Sequence, residues 1–212
     1  MEIDLVAHCG DSNYGEFISS LNATDIATGW TETRAIIGKG QRGVVAALDE
    51  IRQILPFTLI AIDSDSGSEF ISMHLVRWCQ AHNIYFTRSR PYKKNDNAHI
   101  EQKNWTQVRR LLGWSRFESQ ETADLMNALY SSELRIWMNC FQPSVKLVTK
   151  ERHGSRVCKR YDFPQTPINR LTNADLAALA DTDPFELAEA IQRRISQIAQ
   201  RAAANPASPG QR

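Results

Sequence analysis

The spacing of apolar residues changes along this chain, and the changes mark out its elements. Residues 2–8 read as a first strand, and a polar turn spans Asp11 to Gly15. Residues 16–23 and 28–37 read as two further strands, split by a turn around Asp25. Gly38-Lys39-Gly40 ends this strand-rich part. Val44, Val45, Leu48, Ile51 and Leu55 then recur at helical spacing, which predicts a helix over residues 42–55 stopped by Pro56. Residues 58–62 form a short continuous apolar run, the signature of a strand covered on both faces. A helix follows over residues 68–82, with Phe70, Ile71, Leu75 and Trp78 inward, and then a last core strand over 84–87. Residues 97–112 and 123–141 read as helices, the second closed by Pro143. Five strands interleaved with helices make an α/β fold.

Past residue 145 the composition shifts. Residues 146–170 are basic, contain Pro164 and Pro167, and show no clear period, so an extended basic arm is expected. Asp183-Pro184-Phe185-Glu186 is a helix start, with Asp as cap, Pro in the first turn and Glu three residues after the cap. Leu187, Ile191, Ile195 and Ile198 then form an apolar stripe, which suits either a contact between copies of the chain or packing onto its own core. The expected organisation is a core over 1–145, an arm over 146–170, a helical appendage over 171–202 and a disordered tail over 203–212. The sequence has no internal repeat.

With 212 residues, 42% of them hydrophobic, the chain suits one sizeable domain plus an appendage. It has no apolar run of membrane-spanning length and no signal peptide. Cys9, Cys79, Cys140 and Cys158 are scattered, which reads as reduced thiols in a cytoplasmic protein with no membrane partner. A net charge of +1 hides a segregation of charge. Acidic residues dominate residues 1–70, whereas 86–116 and 146–170 are strongly basic. Basic surface beside an acidic centre suits a polyanionic substrate.

Three carboxylates stand out among the 24 Asp and Glu residues. Asp4 lies in the first strand, Asp65 follows the strand run before it, and Glu101 lies in a helix with 35 residues between it and Asp65. Strand alternation puts Glu2 on the face of Asp4, and Asp63 on the face of Asp65, so periodicity leaves each choice open. Converging carboxylates repel, and hard cations such as Mg²⁺ or Mn²⁺ relieve that repulsion. A helix would align Asn97, Glu101 and Trp105, with Asn104 nearby. Trp105 and Trp114, at helical spacing, are expected in the core. His99 is read as structural, and the adjacent pair His8-Cys9 lacks zinc spacing.

Two boxes surround these acids. One is Asp65-Ser66-Gly67-Ser68-Glu69-Phe70, and the other is Arg88-x-Arg90-Pro91-Tyr92-x-x-Asn95-Asp96-Asn97-x-x-x-Glu101-Gln102-x-Asn104. With the 35-residue spacing, they resemble the catalytic core of the D,D-35-E integrases and transposases over residues 1–145. Ser66 stands where most of those relatives have Asn. The resemblance implies an RNase H-like fold, with a mixed five-stranded sheet flanked by helices and the first three strands as a meander. It implies Asp4, Asp65 and Glu101 as catalytic metal ligands for two Mg²⁺ or Mn²⁺ ions, rather than Glu2 or Asp63. It places Tyr92 and Asn97 near DNA ends and Asn104 next to the metal site. Lys93, Lys94, Lys103, Arg109 and Arg110 are the candidate phosphate contacts. The implied activity is DNA cleavage and strand transfer, on element ends and target DNA, by a homo-oligomer of bacterial insertion-sequence type. The alternatives are an RNase H-like nuclease or a non-catalytic DNA-binding fragment that regulates a full-length transposase. Asp4 leaves no room ahead of it for the family's helix-turn-helix part, and no zinc module precedes the core. DNA-end recognition is therefore expected from a separate DNA-binding subunit or a missing N-terminal domain.

Overall fold

A computed structural model describes residues 1–65, 73–89, 98–171 and 181–204. Its centre is a five-stranded mixed sheet built from β1 (Glu2–Ala7), β2 (Ile18–Thr24), β3 (Thr31–Ile37), β4 (Ala61–Ser64) and β5 (Tyr85–Arg88). The strand order is β3-β2-β1-β4-β5. The first three strands form the expected antiparallel meander, and β4 and β5 add parallel to β1. The fourth strand lies further along than the apolar run predicts. Ile60 of that run is exposed, and the strand pairs through Ala61 to Ser64 instead.

Side-chain alternation gives the sheet two different faces. Ile3, Leu21, Ala23, Ile36 and Ile62 pack on one side against α1 (Gln41–Ile54) and α2 (Met73–Ala81). On the other face, Ile18 and Ala35 pack against α5 (Gln120–Ser131), α6 (Glu133–Ile136) and α8 (Pro184–Ala204). Helices α3 (Ala98–Lys103) and α4 (Arg110–Leu112) flank a π-helical turn, Asn104–Arg109, and together run as one helical rod on this second side. The predicted helix over 123–141 is instead interrupted. It begins earlier, where the Ser119 hydroxyl accepts a hydrogen bond from the Thr122 amide at 3.1 Å. It breaks at Ser132, whose hydroxyl bonds back to the Ala128 carbonyl, and it ends in a π turn, Trp137–Phe141.

The edge strand β3 is covered by side chains. Asn127 bonds both the amide and the carbonyl of Ala35, at 2.8 and 3.0 Å. Asn139 does the same to Thr31, at 2.9 Å for each bond. An edge closed in this way cannot template further strand pairing.

The basic arm, expected to be extended, folds into a hairpin. Strands β6 (Leu147–His153) and β7 (Arg156–Tyr161) form an antiparallel hairpin, followed by α7 (Pro167–Arg170). Gly154, at φ +64°, and Ser155 make its turn. The Asp183 carboxylate accepts from the Phe185 amide at 2.7 Å and so caps α8 as its sequence predicts. In the α8 stripe, Leu187, Ile191 and Ile198 are buried against α5 and α6, with Ile195 half-buried beside them. The stripe thus belongs to the chain's own core and is not available between copies. Expectations for Phe70, Ile71 and the tail over 205–212 fall outside the described residues. Among the described residues no helix is long and apolar enough to cross a membrane.

Candidate active site

Strand register relates Asp4 and Asp65. Glu2 pairs with Asp63 and Ile3 with Ser64 across the parallel strands β1 and β4. Asp4 and Asp65 are each the next residue beyond that paired stretch. Alternation puts Glu2, Asp4, Asp63 and Asp65 on the sheet face that carries α3.

Glu2, Asp63 and Asp4 differ in the partners that hold them. Glu2 is 2% exposed, and its carboxylate accepts the backbone N–H of Ile100 at 2.9 Å. That N–H is one of the donors a helix start leaves unpaired, and a carboxylate also suits the positive end of the helix dipole. Glu2 therefore docks α3, and with it Glu101, onto β1. Asp63 accepts from the Thr87 hydroxyl at 2.5 Å and from Ser89 at 3.1 Å, which ties β4 to β5. Asp4 accepts the Leu5 amide at 2.7 Å through one oxygen and the Asn104 side-chain amide at 2.6 Å through the other.

Asn104 is the last link of a relay. The Thr33 hydroxyl donates to Asn22 at 2.7 Å, Asn22 donates to Asn104 at 2.7 Å, and Asn104 donates to Asp4. Its direction is forced, because a carboxylate only accepts. Asn104 must turn its NH₂ to Asp4 and its oxygen to Asn22, and Asn22 must turn its oxygen to Thr33. Sequence reasoning does not find Glu2, Asn22 or Thr33 in these positioning roles. Their signal is polar side chains at strand positions, where Glu and Asn are depleted and buried polar groups need a partner.

Glu101 lies in the first turn of α3 and is exposed, as is Trp105 one helical turn on. Among the described residues, no group of three or more His, Cys, Asp or Glu side chains is gathered at metal-binding distance. The described structure thus places Asp4 on β1, Asp65 just past the end of the neighbouring β4, and Glu101 on the helix that Glu2 docks onto β1.

Among solved structures, the catalytic core domain of BIV integrase is similar at a TM-score of 0.51, covering 79% of this chain and 90% of that chain at 17% identity. A chain of the simian T-cell lymphotropic virus intasome, in complex with PP2A regulatory subunit B56 gamma, is similar at 0.56, covering 86% and 57% at 14% identity. The fold is that of an integrase catalytic core. No family model matches the chain. The uncharacterized protein y4rM of Sinorhizobium fredii (strain NBRC 101917 / NGR234) is 44% identical over 170 residues, which are 80% of this chain and 48% of that protein. The chain therefore spans about half the length of this curated relative.

In this integrase-like core the candidate DNA contacts have different fates. Tyr92, Lys93, Lys94 and Asn97 lie outside the described residues, as does the side chain of His99. Arg110 is exposed. Arg109 is already engaged, because it donates to the Ala7 carbonyl at 2.7 Å and stacks over Trp114 at 4.1 Å. It ties the end of β1 to the helical rod, so its charge is less available to a phosphate than the sequence implies. Lys103 is half-buried, and burial together with the nearby Lys146 holds its ammonium below the usual lysine range. Both lysines line a cleft of about 530 Å³ between α3, the end of β2 and the root of the hairpin.

Two further expectations change. Trp105 and Trp114 are 57% and 66% exposed, so neither belongs to the core. Trp105 shares the solvent face of Glu101, and Trp114 follows the turn at Gly113, which leads the chain out of the helix at φ +69°. His8 is fully buried and bonds Ser20 at 2.8 Å, which in turn meets the Tyr130 hydroxyl at 2.6 Å. Burial, reinforced by the Arg109 charge, pushes the His8 imidazole down to about 3.

Proposed function

We propose that this chain is the catalytic core of a DNA transposase or integrase of bacterial insertion-sequence type, with Asp4, Asp65 and Glu101 as its catalytic carboxylates. The observation that supports the reading is the parallel pairing of β1 with β4, whose register runs toward Asp4 and Asp65, while Glu2 docks the Glu101 helix on β1. Glu2 and Asp63 share the face, and it is the resemblance of the box that opens at Asp65 that favours Asp4 and Asp65 as the ligands.

The donor set is made only of carboxylate oxygens, which fits Mg²⁺ or Mn²⁺. Asp4 and Asp65 would hold the metal from the sheet, and Glu101 would complete the set from α3. Two such ions supply, when bound, the positive charge that stabilises the attacking and leaving oxygens of a phosphodiester. The protein's own part is positioning. The relay through Asn104 fixes one Asp4 oxygen, and the Leu5 amide orients the other. No side chain needs to become a nucleophile. Water cleaves the strand at the element end and frees a 3′-OH. That 3′-OH then attacks a target phosphodiester, forming one P–O bond as another breaks. Joining two ends to one target requires two such sites, so the active form is a homo-oligomer acting on element ends and target DNA.

The test is a strand-joining assay with pre-nicked end duplexes and Mn²⁺. Wild type should join ends to target, and Asp4→Asn, Asp65→Asn and Glu101→Gln should each lose joining while keeping the wild-type melting profile. Hydrolysis without joining would point to a nuclease. No reaction from well-folded wild-type protein would make the chain a binding fragment.

A further inference from the structure

The β6–β7 hairpin stands off the body with every residue of both strands exposed. Its register sets Lys150 directly opposite Lys159 and Arg152 opposite Val157, so Lys150, Arg152 and Lys159 share one face. The other face carries Arg156 and Arg160, with Glu151 and His153. Like charges directly opposed across a strand pair destabilise it. Among the described residues, none of these five cations has a carboxylate partner within ion-pair distance. Glu151 sits instead within 3.5 Å of His153.

The root of the hairpin is fixed to the core. Asp162 accepts from the Lys146 amide at 2.5 Å and from Arg170 at 2.6 Å. Arg170 also reaches the Ser144 carbonyl at 2.8 Å, and Ser144 and Gln165 form a bridge. The same root, through Lys146, Leu147 and Tyr161, lines the cleft shared with Gln102 and Lys103, the neighbours of Glu101.

We propose that this hairpin is a DNA strap, a basic β-ribbon that enters the major groove of duplex DNA running past the catalytic face. The inference rests on the function proposed above and names the element that supplies its grip on DNA. A ribbon lying on a surface needs cations on one face only. Cations on both faces suit a groove walled on each side by phosphates. The major groove of B-DNA is about 12 Å wide and admits a two-stranded ribbon. Seven residues at about 3.4 Å each are long enough to enter it. A-form RNA offers no such groove to protein elements, which selects B-form DNA as the partner. Contacts of this kind give affinity and register rather than sequence reading.

Binding of full-length protein to a B-form duplex, measured in EDTA across a salt series, separates the strap from the chemistry. Removing the first face with Lys150→Ala, Arg152→Ala and Lys159→Ala should weaken binding at least about tenfold. It should also make the log–log salt slope shallower by roughly 3, since each neutralised phosphate adds about 0.9 to that slope. Arg156→Ala with Arg160→Ala should make it shallower by roughly 2. All five positions are exposed, so the melting temperature should stay unchanged, and a double-stranded RNA should bind more weakly than DNA. Wild-type affinity in either variant, an effect from one face only, or equal binding of RNA would overturn the proposal. Strong, hairpin-dependent binding without Mn²⁺-dependent joining would leave the strap standing and refute the proposed chemistry.

Discussion

Replacing Asn22 with Leu tests whether the relay to Asp4 is a working unit. The two side chains are close in size, so the change removes hydrogen bonds with little change of volume. Asn22 is fully buried, and Thr33 is nearly so. Asn22→Leu strands the Thr33 hydroxyl without its acceptor and the Asn104 oxygen without its donor. Each buried group left unsatisfied costs about 1–3 kcal/mol, and the added apolar contact offsets part of that. A net loss of about 2–4 kcal/mol in urea unfolding is expected. Asn104→Ala removes the same Asn22–Asn104 bond from its other end. In the double variant that bond is lost once, so the cost should fall short of the sum by about 1–2 kcal/mol. Because Asn104 also holds Asp4, both single variants should lower Mn²⁺-dependent joining by about 10–100-fold, the size typical of a group that orients a ligand. An Asn22→Leu protein within about 0.5 kcal/mol of wild type, or additive costs in the cycle, would refute the relay.

Other consequences are sharper in direction than in size. His8 has its folded pKa lowered to about 3 against 6.5, so its contribution to stability is complete above pH 6.5 and is lost as pH falls toward 3. At pH 5 this amounts to about 2 kcal/mol for a fully buried ring; a His8→Gln variant should lose less stability between pH 7 and 5, and an identical pH slope would count against the assignment. Glu2→Ala should speed hydrogen exchange at the Ile100 amide and destabilise by about 2–3 kcal/mol, while unchanged exchange would remove the cap. Ile191→Asp should lower stability by about 4 kcal/mol or more because the site is buried, and unchanged stability with a smaller mass in light scattering would return α8 to an interface.

Much of this architecture is legible in the sequence because local pattern and global fold agree. The meander, the helix α1 and the cap at Asp183 follow from alternation, helical spacing and turn chemistry. The misses have physical causes. The run Leu59-Ile60 attracts a strand assignment, but pairing with β1 and β5 selects Ala61 to Ser64, where Asp63 is the unexpected strand residue. In the hairpin both faces of both strands are exposed, so no apolar alternation marks them, and Gly154-Ser155 is the local sign of a tight turn. The π turn at Asn104–Arg109 turns Gln107 and Val108 inward and leaves Trp105 in solvent. For the site, period two pairs Glu2 with Asp4 and Asp63 with Asp65. Alternation leaves the members of each pair alike, and the motif resemblance is what selects Asp4 and Asp65.

Mn²⁺ binding to wild type, Asp63→Asn and Asp65→Asn, followed by isothermal titration, addresses the central claim most directly. Asp63 bonds Thr87 and Ser89, and an asparagine there can still accept from a hydroxyl, so Asp63→Asn should bind Mn²⁺ nearly as wild type does. Asp65→Asn should lose at least about tenfold in affinity or a whole equivalent of bound ion. Wild-type binding by Asp65→Asn, with loss in Asp63→Asn, would contradict the assignment of the metal-binding carboxylates.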